Sequence, residues 1–417
     1  MKILSEVKKD GTTIQRVPPN AFDQKLDKRL MADDNLVMWD IGEKITDGKP
    51  TGVTAVRFWV ANKQKDKRKI PKDKLIPETI DSYPTDVIKY EKLTAPEPIR
   101  QQVPLAIDRK KKHRPFDGGV SGGNAEISAG TYAVKFIKDG RPVLFTNAHV
   151  GAENPFTDVS KQKVDNIQQG AYDGGTLADN YIGKMINMVL LEEDYPAFND
   201  ACLIELDPRD VMTTHILEVG TPVGFYPADQ LQIGDEVWKS GRTTGLTKGY
   251  ITNIGTSANV GYGEKMALHK YCVVTTDMSD GGDSGSIMLI KKNGQWYIWG
   301  YLFAGNSTST VCHTIDNVVS IWGLTIPGGG EGPPPNTVFV RVVLKKLNGG
   351  NVTKSVQFEV VHEDGTPFHN ARVTFRGTKL WTDKQGICTF NDVPSGNYEY
   401  SVYWDSSFET ATGSVTV

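Results

Sequence analysis

The sequence lacks what would place it in several large classes. Across 417 residues there is no apolar run long enough to cross a bilayer as a helix. The opening stretch MKILSEVKKDGTTIQRVPPN has no apolar core of the kind a secretory signal carries, which predicts a cytoplasmic start or release by a route the sequence does not display. Charge of one sign is not in excess: 47 Lys and Arg against 50 Asp and Glu leave a net charge of −3, so nothing global draws the chain to nucleic acid or an anionic membrane. Cysteine is scarce. The four present, Cys202, Cys272, Cys312 and Cys388, fit no CxxC metal spacing. Each lies in a strand-like run (ACLIEL, YCVVTT, TVCHTI, GICTF), so four small buried hydrophobes are expected, with a Cys272–Cys312 disulfide left open. The glycine-containing stretch GRTTGLTKG lacks the spacing of a phosphate loop and reads as a hairpin. No repeat at solenoid spacing is visible.

What is present describes a soluble globular chain, 38% apolar and 23% charged. Its length predicts two or three units. Forty-two glycines beside many Val, Thr, Tyr and Ile point to short strands and tight turns. The clearest boundary is IPGGGEGPPPNT, a linker over 326–337 that is flexible at its glycines and stiff at its prolines. Beyond it, 338–417 alternates apolar and polar residues between the turn signals EDGTP, DKQG and PSGN, which predicts antiparallel strands of a small β-sandwich. A softer boundary is the basic run from Arg109 to Arg114, expected as an exposed linker, with a processing site and a polyanion contact as sharper readings. The expected organisation is an N-terminal extension over 1–108 packing on or covering the next domain, a central domain over 115–325, the linker, and the sandwich. Within the extension, TAVRFWVAN reads as a strand and 22–31 as a short amphipathic helix.

The central domain holds the candidate chemistry. Gly-Gly-Asp-Ser-Gly-Ser at 281–286 can set Ser284 on a sharp turn with its hydroxyl exposed, and the N–H groups of Gly282 and Ser284 can form an oxyanion hole. A serine hydroxyl needs a histidine to take its proton and a carboxylate to fix that histidine's tautomer. Of seven histidines, His149 stands where the apolar strand of VLFTNAHVGA ends in a corner of small residues. Asp200, in FNDACLIEL, directly precedes an apolar strand, where a carboxylate can be half-buried against an imidazole. His215 and His269 read as ordinary strand or loop polar residues, and the Cys312–His313 pair falls far short of a zinc site.

In their order, TNAHV, NDACLIEL and GGDSGS resemble the histidine, aspartate and serine blocks of trypsin-like (chymotrypsin-fold) serine peptidases. VWKSGRTTGLTKGYITNIG resembles the disulfide-poor members of that family. The resemblance covers about 117–324. It implies a mainly β fold of two antiparallel six-stranded barrels, with His149, Asp200 and Ser284 as a catalytic triad in the cleft between them. It further implies an endopeptidase acting through an acyl-enzyme on a peptide or protein, with no metal or organic cofactor. Phe303, Ala304 and Gly305 align with the strand that pairs with substrate backbone. Met278 falls near the base of the specificity pocket, which implies an apolar or small preference, although Asp277 and Asp280 flank it. Three departures stand out. Val150 and Asp280 replace the family's cysteines beside the histidine and the serine. Phe303 replaces a serine that usually contacts the aspartate. The long extension makes activation by a new terminal amine unsuited, so Asp283 needs another partner. A latent form is a variant of this reading, with 1–108 over the cleft and a cut near Arg109–Arg114 opening it.

The C-terminal segment resembles carboxypeptidase-regulatory-like and Ig-like β-sandwich modules. Gly365, Pro367, Ala371 and Val373 fit the first strand pattern, Thr382, Asp383 and Gly386 a turn, and Pro394, Gly396 and Tyr398 a corner. Such a module implies attachment or spacing; Trp381 and Trp404 are equally suited to core or surface. The rival to an enzyme is a structural or assembly protein, for example of a virus particle, that retains the peptidase fold and attaches through this module.

Overall fold

The computed structural model describes residues 4–16, 21–46, 49–64, 66–81, 83–95, 107–327, 339–346, 354–361, 371–383, 385, 387–394, 397–403 and 411–416. The chain forms two compact units, Ile3–Gly330 and Glu331–Val417.

Within the first unit, the alternating segments of the central domain close into two antiparallel barrels. In the first, Val120–Asn124 pairs with Gly130–Tyr132 and with Asp165–Gln168. Pairing continues through Tyr181–Val189, Cys202–Leu206, Arg141–Thr146 and Val134–Lys138. Only Ala133 separates Gly130–Tyr132 from Val134–Lys138, so these act as one bent strand and the ring closes with six strands. The second barrel runs Glu236–Gly241, Gly245–Tyr262, Lys265–Thr276, Ser309–Thr314, Gln295–Asn306 and Ile287–Lys292, and closes because Glu236–Gly241 pairs with both of its ring neighbours. The hairpin read from GRTTGLTKG is the Gly241–Gly245 turn between its first two strands.

Alternation along these strands fills three cores. Tyr132, Leu144, Ile182 and Ile204 pack inside the first barrel. Val237, Val273, Met278, Met288 and Trp299 pack inside the second. Phe136, Phe145, Ile287, Tyr301 and Trp322 lie in a third cluster drawn from both barrels. Continuous apolar burial of this size is the main stabilising term of the unit.

The residues before the barrels extend their sheets. Leu36–Thr46 and Lys49–Val60 form a hairpin whose Met38 and Trp39 pair with Ala258 and Ser257 of the second barrel. The helix Ala21–Ala32, one residue longer at each end than the sequence suggests, buries Leu26 and Leu30 against Trp39, Phe58 and Leu268. Its Asp27 accepts hydrogen bonds from Lys270 Nζ at 2.8 Å and Trp39 Nε1 at 3.0 Å. Thr12 and Thr13 add a parallel pairing to the first barrel at Met188 and Val189.

One expectation is corrected. The basic run is not a wholly exposed linker: Arg109 is only 2% exposed, and its guanidinium donates to Gly119 O at 2.9 Å and Ser240 Oγ at 2.7 Å while pairing with Glu218. Arg114 is exposed, as are Lys111 and Lys112, yet its guanidinium donates to Gln168 Oε1 at 2.8 Å. The cysteines are as expected: Cys272 and Cys312 are buried and free, which closes the open question of a disulfide, and so are Cys202 and Cys388.

The second unit has a three-stranded sheet (Phe339–Lys346, Lys354–Val361, Ile387–Val393) and a four-stranded sheet (Arg372–Phe375, Thr378–Trp381, Asn397–Tyr403, Ala411–Thr416). Phe358 and Phe390 from one and Val373, Phe375 and Val402 from the other share a core. Asp383 Oδ1 accepts from the amides of Gln385 and Ile387, each at 2.9 Å, which closes the expected turn. Tyr398 donates to Pro394 O at 3.2 Å at the expected corner. Ala371 and Val373 are buried and Trp381 is 55% exposed. Gly365, Pro367, Gly386, Gly396, Trp404 and most of the linker, 328–337, lie outside the described residues.

Candidate active site

His149 and Asp200 meet because of strand register. Arg141–Thr146 and Cys202–Leu206 pair with Thr146 opposite Cys202, so the residues just after the first strand and just before the second share one end of the barrel. Asn147 stays extended and donates from Nδ2 to Asp200 O at 2.8 Å; the chain then turns through the short helix Ala148–Gly151. His149 Nδ1 lies 2.5 Å from Asp200 Oδ2, and the His149 amide donates to Oδ1 at 3.1 Å. Asp200 is fully buried. Burial alone would push its carboxyl up, but the charge and hydrogen bond of His149 outweigh this and hold it down at about 2. With Nδ1 donating to the carboxylate, Nε2 of neutral His149 carries the lone pair; it is buried and has no partner among the described residues.

Ser284 sits on a turn at the barrel junction. Gly282 and Gly285 have φ of +94° and +93°, the left-handed region that glycine adopts without strain. At Gly285 a Cβ would collide with Thr146 Oγ1 and the Thr131 carbonyl, so only glycine fits. Thr131 of the first barrel clamps the turn: its amide donates to Ser284 O at 2.8 Å and its hydroxyl to Gly282 O at 2.9 Å. Both Gly282 and Ser284 are left with backbone amides that donate to no described residue. No hydrogen bond joins Ser284 Oγ to His149 in this structure.

Asp283, between them, has the partner the sequence left open. Its Oδ1 accepts from the Thr243 and Thr244 amides at 2.8 and 3.1 Å, and its Oδ2 from Thr244 Oγ1 at 2.5 Å and the Asp280 amide at 3.0 Å. The fully buried Lys239 ammonium stands 3.4 Å away. Burial lowers the pKa of Lys239, against the pull of Asp283. Asp283 thus has an internal lysine as its cationic neighbour.

The residues expected to contact substrate are all buried. Met278 is 5% exposed, with its side chain inside the second barrel; its amide donates to Thr310 Oγ1 at 3.2 Å. Phe303 and Ala304 are buried with Val37, Leu93, Val260 and Cys272. Gly305 is paired antiparallel with Thr94 of the extension. Beside it, Asn306 Nδ2 donates to Glu91 O at 3.0 Å and Ser307 Oγ to Glu91 Oε2 at 2.6 Å.

Three residues with no sequence signal complete the site. Tyr262 donates from its hydroxyl to Asp200 Oδ2 at 2.9 Å, taking the role Phe303 cannot fill. His269 Nε2 lies 2.9 Å from the same hydroxyl oxygen, and His269 Nδ1 lies 3.0 Å from His313 Nε2. Burial pushes the pKa of His269 down to about 4 and that of His313 well below its ordinary value. His269 is a strand residue, as the sequence suggests, and like His313 it is buried and bonded through its ring to other side chains. Only a period-two strand pattern marks them, and it does not reveal what lies across the barrel.

Strand pairing defines the class: a mainly β chain with two antiparallel six-stranded barrels of the chymotrypsin kind and a further β unit. Among solved structures, the chain is similar to Thermobifida fusca Protease A, with 17% identity over 51% of this chain and 97% of that one and a TM-score of 0.36. It is similar also to Nocardiopsis protease, at 18% identity over 50% and 98% with a TM-score of 0.36. A third is the chymotrypsin of Cellulomonas bogoriensis, at 18% identity over 51% and 99% with a TM-score of 0.35. No protein-family model matches the chain, and no curated protein matches it.

Proposed function

We propose that the chain is a serine endopeptidase. Ser284 Oγ attacks the scissile carbonyl carbon while its proton passes to His149 Nε2. His149 then delivers that proton to the leaving amine, and the acyl group remains as an ester on Ser284. Water, deprotonated by the same nitrogen, releases the acid and regenerates the serine. Asp200 fixes the imidazole with its lone pair on Nε2, and the Gly282 and Ser284 amides receive the oxyanion. The substrate is an extended peptide that pairs with the backbone at Phe303–Gly305, with a small or apolar residue near Met278. The observation that carries the reading is the buried Asp200–His149 pair, whose Nε2 has no other partner.

A peptide-library cleavage profile tests it, with Ser284→Ala as the blank. Wild-type protein should cut peptides and the variant should not. Equal cleavage by both would remove Ser284 from the chemistry.

One observation favours a second reading, either a latent enzyme or an assembly protein that keeps a peptidase fold. Thr94 already occupies the Gly305 edge that a substrate would need. The C-terminal unit would then act as an attachment module in either case.

A further inference from the structure

We infer that Tyr262 is a positioning residue for the His149–Asp200 pair, and that His269 and His313 fix the direction of its hydroxyl proton. The inference rests on the peptidase reading, since it assigns a role within that site.

Proton accounting gives the direction. An ionised carboxylate only accepts, so with Tyr262 Oη 2.9 Å from Asp200 Oδ2, the hydroxyl proton points at Asp200. The lone pairs of Oη are then what faces His269 Nε2, also at 2.9 Å, so that nitrogen carries N–H. A neutral His269 has its lone pair on Nδ1, 3.0 Å from His313 Nε2, which must donate in turn. Burial keeps both rings neutral. Three consecutive donors thus run one way, from His313 through His269 and Tyr262 to the buried anion. Asp200, His269 and His313 are buried, and in such low-dielectric surroundings each bond polarises the next.

The packing explains why a tyrosine does this. Phe303 fills the nearer position, its ring stacked on His313 at 4.1 Å and 4.6 Å from His269. The donor therefore comes from the tip of the Gly245–Tyr262 hairpin, where Tyr262 pairs with Lys265. Its ring also stands edge-on to His149 at 5.6 Å and to Phe156 at 5.7 Å. Asp200 Oδ2 is shared by His149 Nδ1 and the Tyr262 hydroxyl, so loss of the hydroxyl leaves the carboxylate held from one side only.

Tyr262→Phe keeps the ring and removes the donor. Two measurements on the full chain decide the matter. The first is the rate of Ser284 labelling by a fluorophosphonate across pH. The variant should react about tenfold more slowly at neutral pH, the loss of roughly one well-placed hydrogen bond. Its acid limb should move to higher pH, because an Asp200 short of a donor holds the protonated imidazole of His149 more firmly. The other ionisable groups around that carboxylate among the described residues are Tyr262, His269, His313, Tyr301 and Cys202, none of which carries charge at neutral pH. A purely structural role for Tyr262 would leave the limb in place. The second measurement is ring-nitrogen NMR of histidine-labelled protein. It should find His269 and His313 as Nε2–H tautomers, and the His149 Nδ1–H signal should shift in Tyr262→Phe. An unchanged rate and limb in the variant would overturn the inference, as would a proton on His269 Nδ1. Failure of Ser284 to label both in the wild-type chain and in a folded chain freed of the Thr94–Gly305 pairing would instead sink the peptidase reading, and the tautomers would still decide the network.

Discussion

Buried neutral imidazoles make stability depend on pH. Burial lowers the pKa of His269 to about 4 from 6.5 and holds that of His313 well below its ordinary value. Between those values the unfolded chain binds protons on these rings that the folded chain refuses. Stability should therefore fall as pH drops below about 6.5, by about 1.4 kcal/mol per pH unit for each ring. Asp200 acts in a lower window: its depressed pKa adds stability above the unfolded value, lost only as pH falls towards about 2. Urea unfolding at pH 7 and pH 5 checks this, and equal unfolding free energies would contradict it. At this scale the sequence was informative where a residue's role follows from its place on a strand. His149 and Asp200 flank neighbouring strands, and the glycines around Ser284 mark a turn. It was silent where the partner is remote. Tyr262, His269 and Lys239 find theirs across the barrel or in the neighbouring turn, and Arg109 finds Ser240, 131 positions away.

At the scale of elements, period-two alternation marked most barrel strands, and the helix within the extension was nearly located. The extension's architecture was not legible, because its hairpin is completed by pairing with Ala258 and Ser257, about 220 residues on. That pairing changes what cleavage of the basic run would do. A cut at the exposed Lys111 or Lys112 leaves Leu93 buried and Thr94 still on Gly305. Weakening the contact itself is the effective route. Thr94→Pro with Glu91→Ala removes an amide and the carboxylate that binds Ser307. Hydrolysis of extended peptides should then rise about tenfold, on the scale of one or two net hydrogen bonds. Assaying cut, uncut and doubly substituted protein side by side checks this, and activation by the cut alone would reverse the argument.

The whole molecule is two units with separate cores, and each core is drawn from its own strands. The glycine and proline stretch and the change in turn chemistry pointed to this division, whereas closure of the barrels depends on pairings between distant strands that alternation alone cannot specify. If the chemistry resides in the barrels, deleting 338–417 should leave the rate of Ser284 labelling within about twofold of the full chain, since sites without shared partners act nearly independently. A large loss would tie the second unit to the reaction. The central claim, that Ser284 is a nucleophile activated by His149 and Asp200, is tested most directly by mapping the adduct of a fluorophosphonate by mass spectrometry, in the wild-type chain and in the chain opened by Thr94→Pro. One adduct is expected, on Ser284, absent in Ser284→Ala and strongly slowed in His149→Ala. A folded, opened chain that leaves Ser284 unmodified would contradict it.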